Sequence, residues 1–270
     1  YIKRNGRVSS QGKTVEHRGL RRFFVEEIKA IDGGCDIKGA EAKHVVRVFR
    51  MRPGDRLVIM DGRGDRFLAT IQSASPRAVH VSLETRLPAL PPSPIKITIC
   101  PALLKSRGMD YVIQKASELG ADRIRPFSSE RTVLRPGKGT GEDKIRRWRE
   151  IARSSAKQSG RSIPVEMEKC VPFPALVAAE KGKDGLKAIL WEAEGVRDLK
   201  TLLKTSSDAE HFIGMVGPEG GFAGKEIDLA REAGFTPVSL GNRILRSETA
   251  AMTMVAIVQY ELGDLNVRPL

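Results

Sequence analysis

The most unusual chemistry-bearing segment of the sequence is a glycine-rich turn, Gly217–Phe222 (GPEGGF), directly after the apolar segment His211–Val216. Glycines tolerate positive φ angles and let backbone amides approach a ligand, and a helix predicted from Gly224 would add the positive end of its dipole. Such a turn can bind a phosphate or a carboxylate, although a tight strand–helix connection explains the glycines equally well. It lacks the GxGxxG spacing of dinucleotide sites, and the chain has no GxxxxGK[ST] loop.

A second unusual loop, Leu240–Arg246 (LGNRILR), precedes a predicted helix. Ser247 is predicted to cap that helix, and Glu248 is predicted to lie in its first turn, where the helix dipole favours an acid. Neither role requires this loop to bind a ligand or take part in a reaction. Two arginines and an asparagine around Ile244 and Leu245, however, are harder to explain by the fold alone. The apolar pair could line a slot for adenine and leave an arginine facing an anion.

A third loop follows the predicted strand Lys187–Glu192 (KAILWE), which ends in Trp191 and Glu192. By itself this loop is weak evidence for a ligand-binding site. In an open parallel sheet, however, ligands bind beyond the carboxyl ends of the strands, and all three loops occupy that position.

The elements that must hold these loops begin after a proline-rich connector, residues 86–95, in which Pro88, Pro91, Pro92 and Pro94 exclude helix and central strand. Strands and helices alternate from there, which predicts a parallel sheet covered by helices on both faces. The predicted strands are Ile95–Pro101, Arg123–Phe127, Ile163–Met167, Lys187–Glu192, His211–Val216 and Thr236–Leu240. The predicted helices are Gly108–Leu119, Glu142–Gln158, Pro172–Lys181, Val196–Lys204, Gly224–Ala233 and Ser247–Leu262.

Before the connector, short strands separated by turns predict a small, closed or half-closed β-barrel. The predicted strands are Phe23–Ile28, Arg56–Asp61, Arg66–Ile71 and Ala78–Leu83, with one helix at about Glu41–Phe49. Phe23 and Phe24 could stack on bases, but alternation equally places them in a core. The sequence thus divides into an extension predicted to be disordered (1–19), a first domain (20–90) and a second domain (91–270).

Charge is distributed unevenly along the 270 residues, whose formal net charge is +13. Residues 1–92 and 93–160 each carry a net +8, whereas residues 161–270 carry −3. One basic side of the molecule is therefore predicted to meet a polyanion, with a generally solvated basic surface as the alternative.

Several classes of protein are excluded by simpler counts. No apolar stretch approaches the ~18 residues of a membrane-spanning helix, and the first 19 residues lack the apolar core of a secretory signal. Three cysteines far apart and four histidines without HxxxH spacing argue against a disulfide framework and a metal site. We therefore expect a cytoplasmic protein without a metal.

Four segments together carry a resemblance to a known family: RRFF (Arg21–Phe24), KASELG (Lys115–Gly120), GPEGGF (Gly217–Phe222) and LGNRILRSETA (Leu240–Ala250). With these, the chain resembles the ribosomal RNA small subunit methyltransferase E family, 16S rRNA (uracil-N3)-methyltransferases of the SPOUT superfamily. The resemblance spans about residues 20–264, and the last two motifs are highly specific in combination.

The resemblance implies a PUA-like β-barrel that binds RNA, followed by a SPOUT α/β domain with a deep trefoil knot and a parallel sheet. It also implies a homodimer formed through the knotted region, S-adenosylmethionine as cofactor, and 16S rRNA or the small ribosomal subunit as partner. Carried over by motif position, the cofactor-binding residues are Leu190, Trp191, Glu192, Gly217, Pro218, Glu219, Gly220, Gly221, Leu240, Gly241, Ile244, Leu245, Arg246 and Ala250.

Methylation of uracil at N3 requires loss of a proton from a nitrogen that is acidic only well above neutral pH. Each unit of pKa depression needs roughly 1.4 kcal/mol of differential stabilisation, which a guanidinium beside O2 or O4 can supply. Arg246 is the predicted catalytic residue, and Glu248 is a weaker candidate for orienting it or accepting the proton. The predicted RNA contacts are Arg21, Arg22, Lys105, Arg131, Arg147 and Arg161.

Three alternatives stay open at this point. A SPOUT enzyme could act on another base or on a ribose 2′-hydroxyl, and a non-enzymatic RNA-binding assembly factor could be built from the same domains. A nucleotide-dependent enzyme is disfavoured because the phosphate-loop and dinucleotide fingerprints are missing.

Overall fold

A computed structural model describes residues 19–25, 28, 33–133, 141–192 and 197–265. These residues form two compact units. The first comprises the described residues up to Leu90 together with Gly160–Ile163, and the second comprises the described residues of 91–159 and those from Pro164 onward. The predicted extension 1–19 lies outside the described residues except for its last position.

The first unit is built on a five-stranded sheet with spatial order β1-β3-β4-β5-β2. Its strands are β1 (Arg22–Phe24), β2 (Gly34–Lys38), β3 (Arg56–Met60), β4 (Arg66–Ala74) and β5 (Ala78–Arg86). β1 runs parallel to β3, and the other neighbours are antiparallel. A short helix, α1 (Gly39–Lys43), continues into a wider π-helical turn, His44–Val48.

Two features of this sheet differ from the sequence interpretation. β2 was missed because its segment GCDIK buries only Cys35 and Ile37, while the charged residues between and after them are exposed. β1 ends at Phe24, and both Phe23 and Phe24 are buried, 1% and 2% exposed. The core alternative is therefore correct for these rings, and they cannot stack on a base.

The second unit contains a six-stranded sheet of order β13-β11-β12-β6-β7-β9, in which all neighbours are parallel. Its strands are β6 (Lys96–Pro101), β7 (Arg123–Ile124), β9 (Glu166–Met167), β11 (Leu186–Leu190), β12 (His211–Val216) and β13 (Thr236–Val238). A separate parallel pair joins β8 (Phe127–Ser128) to β10 (Val171–Pro172). The predicted parallel sheet is confirmed.

Helices cover both faces of this sheet, because its strands are apolar on both sides. Residues of α2 (Ser106–Glu118), α3 (Glu142–Ser159), α5 (Leu199–Lys204) and α7 (Ser247–Leu262) share one core with Ile97, Ile99 and Phe212. Residues of α4 (Phe173–Glu180) and α6 (Gly224–Glu232) share a second core with Cys100, Ile213 and Met215. Consecutive strand residues thus point into opposite cores.

Gly214 lets α7 approach the sheet closely. A Cβ at this position of β12 would overlap Sδ of Met254 on α7 and lie 2.8 Å from the ring of Phe212. Both neighbours are fully buried, so neither has free space to move into. The close approach matters for the candidate site, because α7 begins where the Leu240–Arg246 loop ends.

We expect Gly214→Ala to lower the free energy of unfolding by about 1–3 kcal/mol, the usual cost of overpacking a dense core. Urea unfolding of the full chain measures this change. Combined with Met254→Ala, the glycine substitution should cost less than it does alone, because the overlapping sulfur is gone. Strict additivity of the two substitutions would contradict the assigned contact.

Candidate functional site at the carboxyl ends of three strands

The three loops singled out in the sequence leave three adjacent strands. β11 lies between β13 and β12, and all run in the same direction, so their carboxyl ends meet at one edge of the sheet. The Trp191–Glu192 segment, the Gly217–Phe222 turn and the Leu240–Arg246 loop therefore start side by side.

Direct contacts join these loops. The backbone N–H of Trp191 donates to the carbonyl of Val238, 3.0 Å away, which ties the first loop to the third. The carboxylate of Glu192 lies against Gly221, where a Cβ would overlap Oε1. Gly221 has a φ of +69°, and its N–H donates to the carbonyl of Pro218 at 2.9 Å. The positive φ favours glycine at this position, and any side chain here would also have to move the flexible carboxylate of Glu192.

An aromatic anchor fixes the far end of the glycine turn. Phe222 is 3% exposed, stacks on Phe127 with 6.0 Å between ring centroids, and packs on Phe173 at 5.6 Å. Glu219 and Gly220, in the middle of the turn, are exposed. The turn thus presents its middle to solvent while its end is held in the core.

Glu226, a residue that the sequence interpretation missed, also holds the turn. Its buried carboxylate accepts the backbone N–H groups of Ala223 and of Glu130, each at 3.0 Å. An acid three residues after the N-cap of a helix is half of a capping box. This spacing was readable from the sequence, although the N-cap residue Ala223 cannot supply the other half. The contact to Glu130 was not readable, because 96 residues separate the two.

Arg131 lies beside the same turn. Its guanidinium Nη1 donates to the carbonyl of Gly220 at 3.1 Å, and the residue is exposed. Lys225, at the start of α6, forms an ion pair with Glu130 at 2.6 Å, and this hydrogen bond raises the pKa of Lys225. A predicted RNA contact therefore lies against the predicted cofactor turn.

The Leu240–Arg246 loop combines anchored and exposed residues. Leu240 and Leu245 are half-buried against the core, whereas Ile244 is 93% exposed and Arg243 is exposed. Gly241 adopts a φ of +101°. The loop is therefore held at two apolar points and presents its other side chains to solvent.

Arg246 occupies the N-cap position of α7, with an extended backbone and an exposed side chain. The predicted cap was wrong by one residue: Ser247 is the first helical residue and is buried, 8% exposed. Glu248 lies in the first turn and is half-buried, at a position where the dipole favours an acid. No hydrogen bond or ion pair links Arg246 to Glu248 among the described residues.

The end of the connection from β11 to α5 is also fixed near this edge. Asp198 caps α5 by accepting the N–H of Thr201 at 2.8 Å and its hydroxyl at 2.9 Å, and these bonds lower the pKa of Asp198. Ser239, immediately after β13, donates its N–H to the carbonyl of Arg197 at 3.1 Å and accepts from the N–H of Leu199 at 3.2 Å. The residues that follow β13 are thus bonded to the β11–α5 connection.

The remaining predicted cofactor residues lie where these elements place them. Leu190 is half-buried at the end of β11, Trp191 is half-buried with Arg231 5.4 Å from its ring centroid, and Ala250 is buried in α7. A Cβ on Gly217 would meet the ring of Phe222. Pro218 is buried.

The predicted RNA-binding cations are divided between the two units. In the first unit, Arg21 is exposed with its guanidinium 4.6 Å from the ring centroid of Phe49, while Arg22 and Arg161 are half-buried. In the second unit, Lys105 is exposed at the start of α2. Arg147 is exposed and pairs with Asp110 at 2.6 Å, a hydrogen bond that raises the pKa of the guanidinium.

Two kinds of feature are absent from the described ranges. They contain no cluster of three or more His, Cys, Asp or Glu side chains arranged to hold a metal ion. None of the helices in these ranges combines the length and the apolar character needed to cross a bilayer.

Comparison with known protein families gives two matches that divide the chain near the proline connector. Residues 91–259 match the family described as RNA methyltransferase domain. Residues 37–84 match the family described as RNA methyltransferase PUA domain. The combination of a PUA-like domain with a methyltransferase domain is therefore confirmed.

Individual relatives agree with these matches. Ribosomal RNA small subunit methyltransferase E of Synechocystis sp. is 31% identical over 235 residues, which cover 87% of this chain and 76% of the relative. The protein of the same name from Bacillus subtilis is 27% identical, with coverage of 90% and 97%.

Solved structures show the same fold. A putative methyltransferase from Legionella pneumophila, in complex with the bound cofactor SAM, superposes with a TM-score of 0.83 at 30% identity, covering 91% of this chain and 99% of the other. Ribosomal RNA small subunit methyltransferase E from Neisseria gonorrhoeae, bound to S-adenosyl methionine, gives a TM-score of 0.80 at 29% identity, with coverage of 91% and 99%. The chain belongs to the ribosomal RNA small subunit methyltransferase E family.

Proposed function

We propose that the chain is an S-adenosylmethionine-dependent methyltransferase that methylates N3 of a specific uridine in small-subunit (16S) ribosomal RNA. The observation that carries the proposal is the meeting of three loops at adjacent carboxyl ends, with a glycine turn on one side and Arg246 on the other. When bound, S-adenosylmethionine supplies an electrophilic methyl group on a sulfonium.

The residues at this edge of the sheet fit such a cofactor. Gly221, with its positive φ, keeps the turn open where a side chain would collide with Glu192. Backbone groups of the turn would hold polar atoms of the cofactor, and half-buried Leu240 and Leu245 would contact its apolar parts. The holding residues are those carried over by motif position: Leu190–Glu192, Gly217–Gly221, and Leu240, Gly241, Ile244, Leu245, Arg246 and Ala250.

Arg246 is the proposed catalytic residue. A guanidinium beside O2 or O4 of the uracil stabilises the anion that forms as N3 loses its proton, and it stays charged at every relevant pH. Its exposed side chain at the N-cap of α7 can reach a base brought from solution. Glu248, two residues further along and half-buried, is the proposed acceptor of the N3 proton. Because N3 lies on the pairing edge, the target uridine must be unpaired or turned out of its helix.

Three finer architectural features belong to the proposal, and the first is a trefoil knot. It is supported by the hydrogen bonds of the chain leaving β13, since Trp191 bonds Val238 while Arg197 and Leu199 bond Ser239. These bonds bring the segment after β13 beside both described ends of the β11–α5 connection, which is the region where the family resemblance implies the knot.

Closure of the small sheet into a barrel is supported by two register shifts between β4 and β5, because bulges add the twist and bend that closure requires.

Homodimerisation through the methyltransferase domain is supported by apolar side chains that are exposed in the loop before α7 and on α7 itself. Ile244 is 93% exposed and Tyr260 is 60% exposed. We place the first domain at 20–90 and the second at 91–270, with cytoplasmic ribosomal RNA as the partner.

The experiment that tests the activity is methyl transfer to ribosomal RNA from a strain that lacks the corresponding enzyme. Labelled S-adenosylmethionine is supplied, and the product nucleoside is identified by mass spectrometry. We expect 3-methyluridine in the small-subunit RNA. The proposed activity would be wrong if the product were a 2′-O-methyl nucleoside or another methylated base, since the chain would then be a SPOUT enzyme of different specificity. Binding of RNA without methyl transfer would instead indicate an RNA-binding assembly factor.

RNA binding is proposed to use the exposed cations of both units. Substituting Arg21 and Lys105 together by Ala should weaken RNA binding and reduce the slope of log K against log salt by roughly 0.7–0.9 for each phosphate that is no longer neutralised. Substituting Lys181, an exposed lysine outside the predicted set, should leave the slope unchanged. Fluorescence anisotropy over a series of salt concentrations measures the RNA affinity and its salt slope for both variants. Equal slopes for the double variant and the parent would exclude these cations from the RNA interface.

A further inference from the structure

The π-helical turn of the first unit ends in an aromatic side chain that the fold leaves accessible. Phe49, directly after this turn, is 37% exposed, and its neighbour Val48 is 61% exposed. An exposed apolar side chain needs no function by itself. The groups around Phe49 are what distinguish it.

The Phe49 ring is held at its edges and carries a cation on its face. It meets the buried ring of Phe23 edge-on, with 5.8 Å between centroids, and the ring of His44 at 6.3 Å. The guanidinium carbon of Arg21 lies over the ring, 4.6 Å from its centroid. Arg21 is exposed, and its side chain has no acidic partner among the described residues. The guanidinium is thus held against an aromatic ring and stays accessible to a ligand.

The pairing of β1 with β3 brings these two side chains to the same end of the sheet. Arg21 immediately precedes β1, and its carbonyl accepts the N–H of Val58 near the start of β3 at 2.9 Å. The chain that follows Phe49 leads into the start of β3 at Arg56. Because β1 and β3 are parallel, both segments enter the sheet from the same side.

Arg50 adds a second cation at a backbone position that favours glycine. Its φ is +53°, the one positive φ of a non-glycine residue in the described ranges. The next N–H, that of Met51, donates to the carbonyl of Val45 at 3.0 Å and so closes the helical turn. Glycine is the usual residue where a helix ends in this left-handed conformation, because a Cβ is crowded there. Strained backbone of this kind clusters at ligand sites, and Arg50 is exposed.

The chemistry of this surface fits an unpaired nucleotide. Free bases stack on aromatic rings and on guanidinium planes, and their phosphates pair with arginine. Residues 1–92 carry a net charge of +8, which favours a polyanion. Duplex RNA would meet the cations, but its bases are already stacked on one another and offer no free face to Arg21 and Phe49.

We propose that Arg21, Phe49 and Arg50 form a stacking site for one unpaired nucleotide of the substrate RNA. The base stacks against the guanidinium of Arg21 and the exposed part of Phe49, and the phosphate meets Arg50. That the RNA is ribosomal rests on the proposed function, whereas the binding of an unpaired nucleotide does not.

Phe49→Leu tests the ring, because leucine keeps an apolar side chain and leaves every cation in place. Its affinity for a short single-stranded oligouridylate should fall roughly fivefold or more, the loss typical of one stacked base, with an unchanged salt slope. Phe49→Tyr keeps the ring and should bind like the parent. The two variants and the parent should bind an RNA duplex of the same length equally well. Fluorescence anisotropy over a series of salt concentrations measures these affinities.

Arg50→Gly tests the cation. It should weaken single-strand binding and reduce the slope of log K against log salt by about 0.7, the value for one phosphate on a single strand. It should not lower the urea midpoint of unfolding, because glycine adopts a positive φ without the Cβ clash. Arg63→Ala is the matched control, since Arg63 is exposed and follows the opposite end of β3. Its single-strand affinity should stay within twofold of the parent.

Three results would overturn the stacking site. The first is parental single-strand affinity in Phe49→Leu, which would leave the exposed ring to a different kind of partner, such as a protein. The second is an equal loss with duplex RNA or in Phe49→Tyr, which would mean that the ring only supports the fold. The third is an equal loss in Arg50→Gly and Arg63→Ala, which would indicate a general effect of surface charge.

Methyl transfer by the parental protein separates this inference from the proposed function. If ribosomal RNA is methylated at N3 but Phe49→Leu binds single strands like the parent, the stacking site fails alone. If Phe49→Leu loses single-strand affinity but the parent forms no 3-methyluridine, the proposed function fails and the stacking site stands. Circular dichroism of each variant verifies that the fold is retained.

Discussion

Substituting Arg246 by Ala should lower the rate of methyl transfer by about 10²–10³, the usual loss when one preorganised donor to a developing anion is removed. Affinity for S-adenosylmethionine should change little, because Arg246 is proposed to hold the cofactor through its backbone. The substitution keeps the extended backbone at the N-cap of α7 and removes only an exposed side chain. Single-turnover transfer and calorimetric titration with the cofactor measure the two quantities separately.

Arg243 provides the matched control for this prediction, since it is an exposed arginine in the same loop. Arg243→Ala should transfer methyl at nearly the parental rate. Arg246→Lys should recover part of the activity, because an ammonium carries the charge but cannot donate in a bidentate manner. A parental rate for Arg246→Ala, or equal losses for the two alanine variants, would remove Arg246 from the catalytic role.

The pH dependence gives a further readout of the same role. A cation beside the uracil lowers the pKa of N3, so its removal moves deprotonation to higher pH. The rate of Arg246→Ala should therefore rise with pH over a range in which the parental rate has already levelled off. If the pH–rate profiles of Arg246→Ala and the parent had the same shape, Arg246 would act in some way other than stabilising the N3 anion.

Substituting Gly221 by Ala should weaken cofactor binding tenfold or more. The position requires a φ of +69°, which costs an L-residue roughly 1–2 kcal/mol, and the new Cβ must displace the carboxylate of Glu192. Both effects deform the turn that is proposed to hold the cofactor. Calorimetric titration with S-adenosylmethionine is the measurement.

Two variants separate the causes of this loss. Gly224→Ala is the matched control, since a Cβ there meets open space and its φ is not positive, and it should bind the cofactor normally. Because Glu192 is itself a proposed cofactor residue, Glu192→Ala is the reference for the double variant. Adding Gly221→Ala to Glu192→Ala should weaken cofactor affinity less than Gly221→Ala weakens it in the parent, because the collision is gone and only the backbone cost remains. Unchanged cofactor affinity in Gly221→Ala would show that the turn does not hold the cofactor.

Several elements of the site could be predicted from short stretches of sequence, because their causes are local. The apolar runs of β6, β11 and β12 are distinguished from helices by their short length and by the turn residues that bound them, and the GPEGGF turn is visible from its composition. The placement of Glu248 in the first turn of α7 follows from the helix dipole. The cap at Ser247 was misplaced by one residue because composition favours a serine at the cap, while the burial of this serine depends on the neighbouring core.

The order of the strands and the long-range contacts were decided only by the tertiary structure. Nothing in β11 indicates that β12 and β13 flank it, yet this order is what brings Glu192 to Gly221 and Trp191 to Val238. The same holds for Glu226, which reaches back 96 residues to Glu130. The sequence by itself determined most of the elements and the loops that end them, since periodicity and turn chemistry act over a few residues. Which elements become neighbours depends on how two cores fill on opposite faces of one sheet, and that is a property of the whole chain.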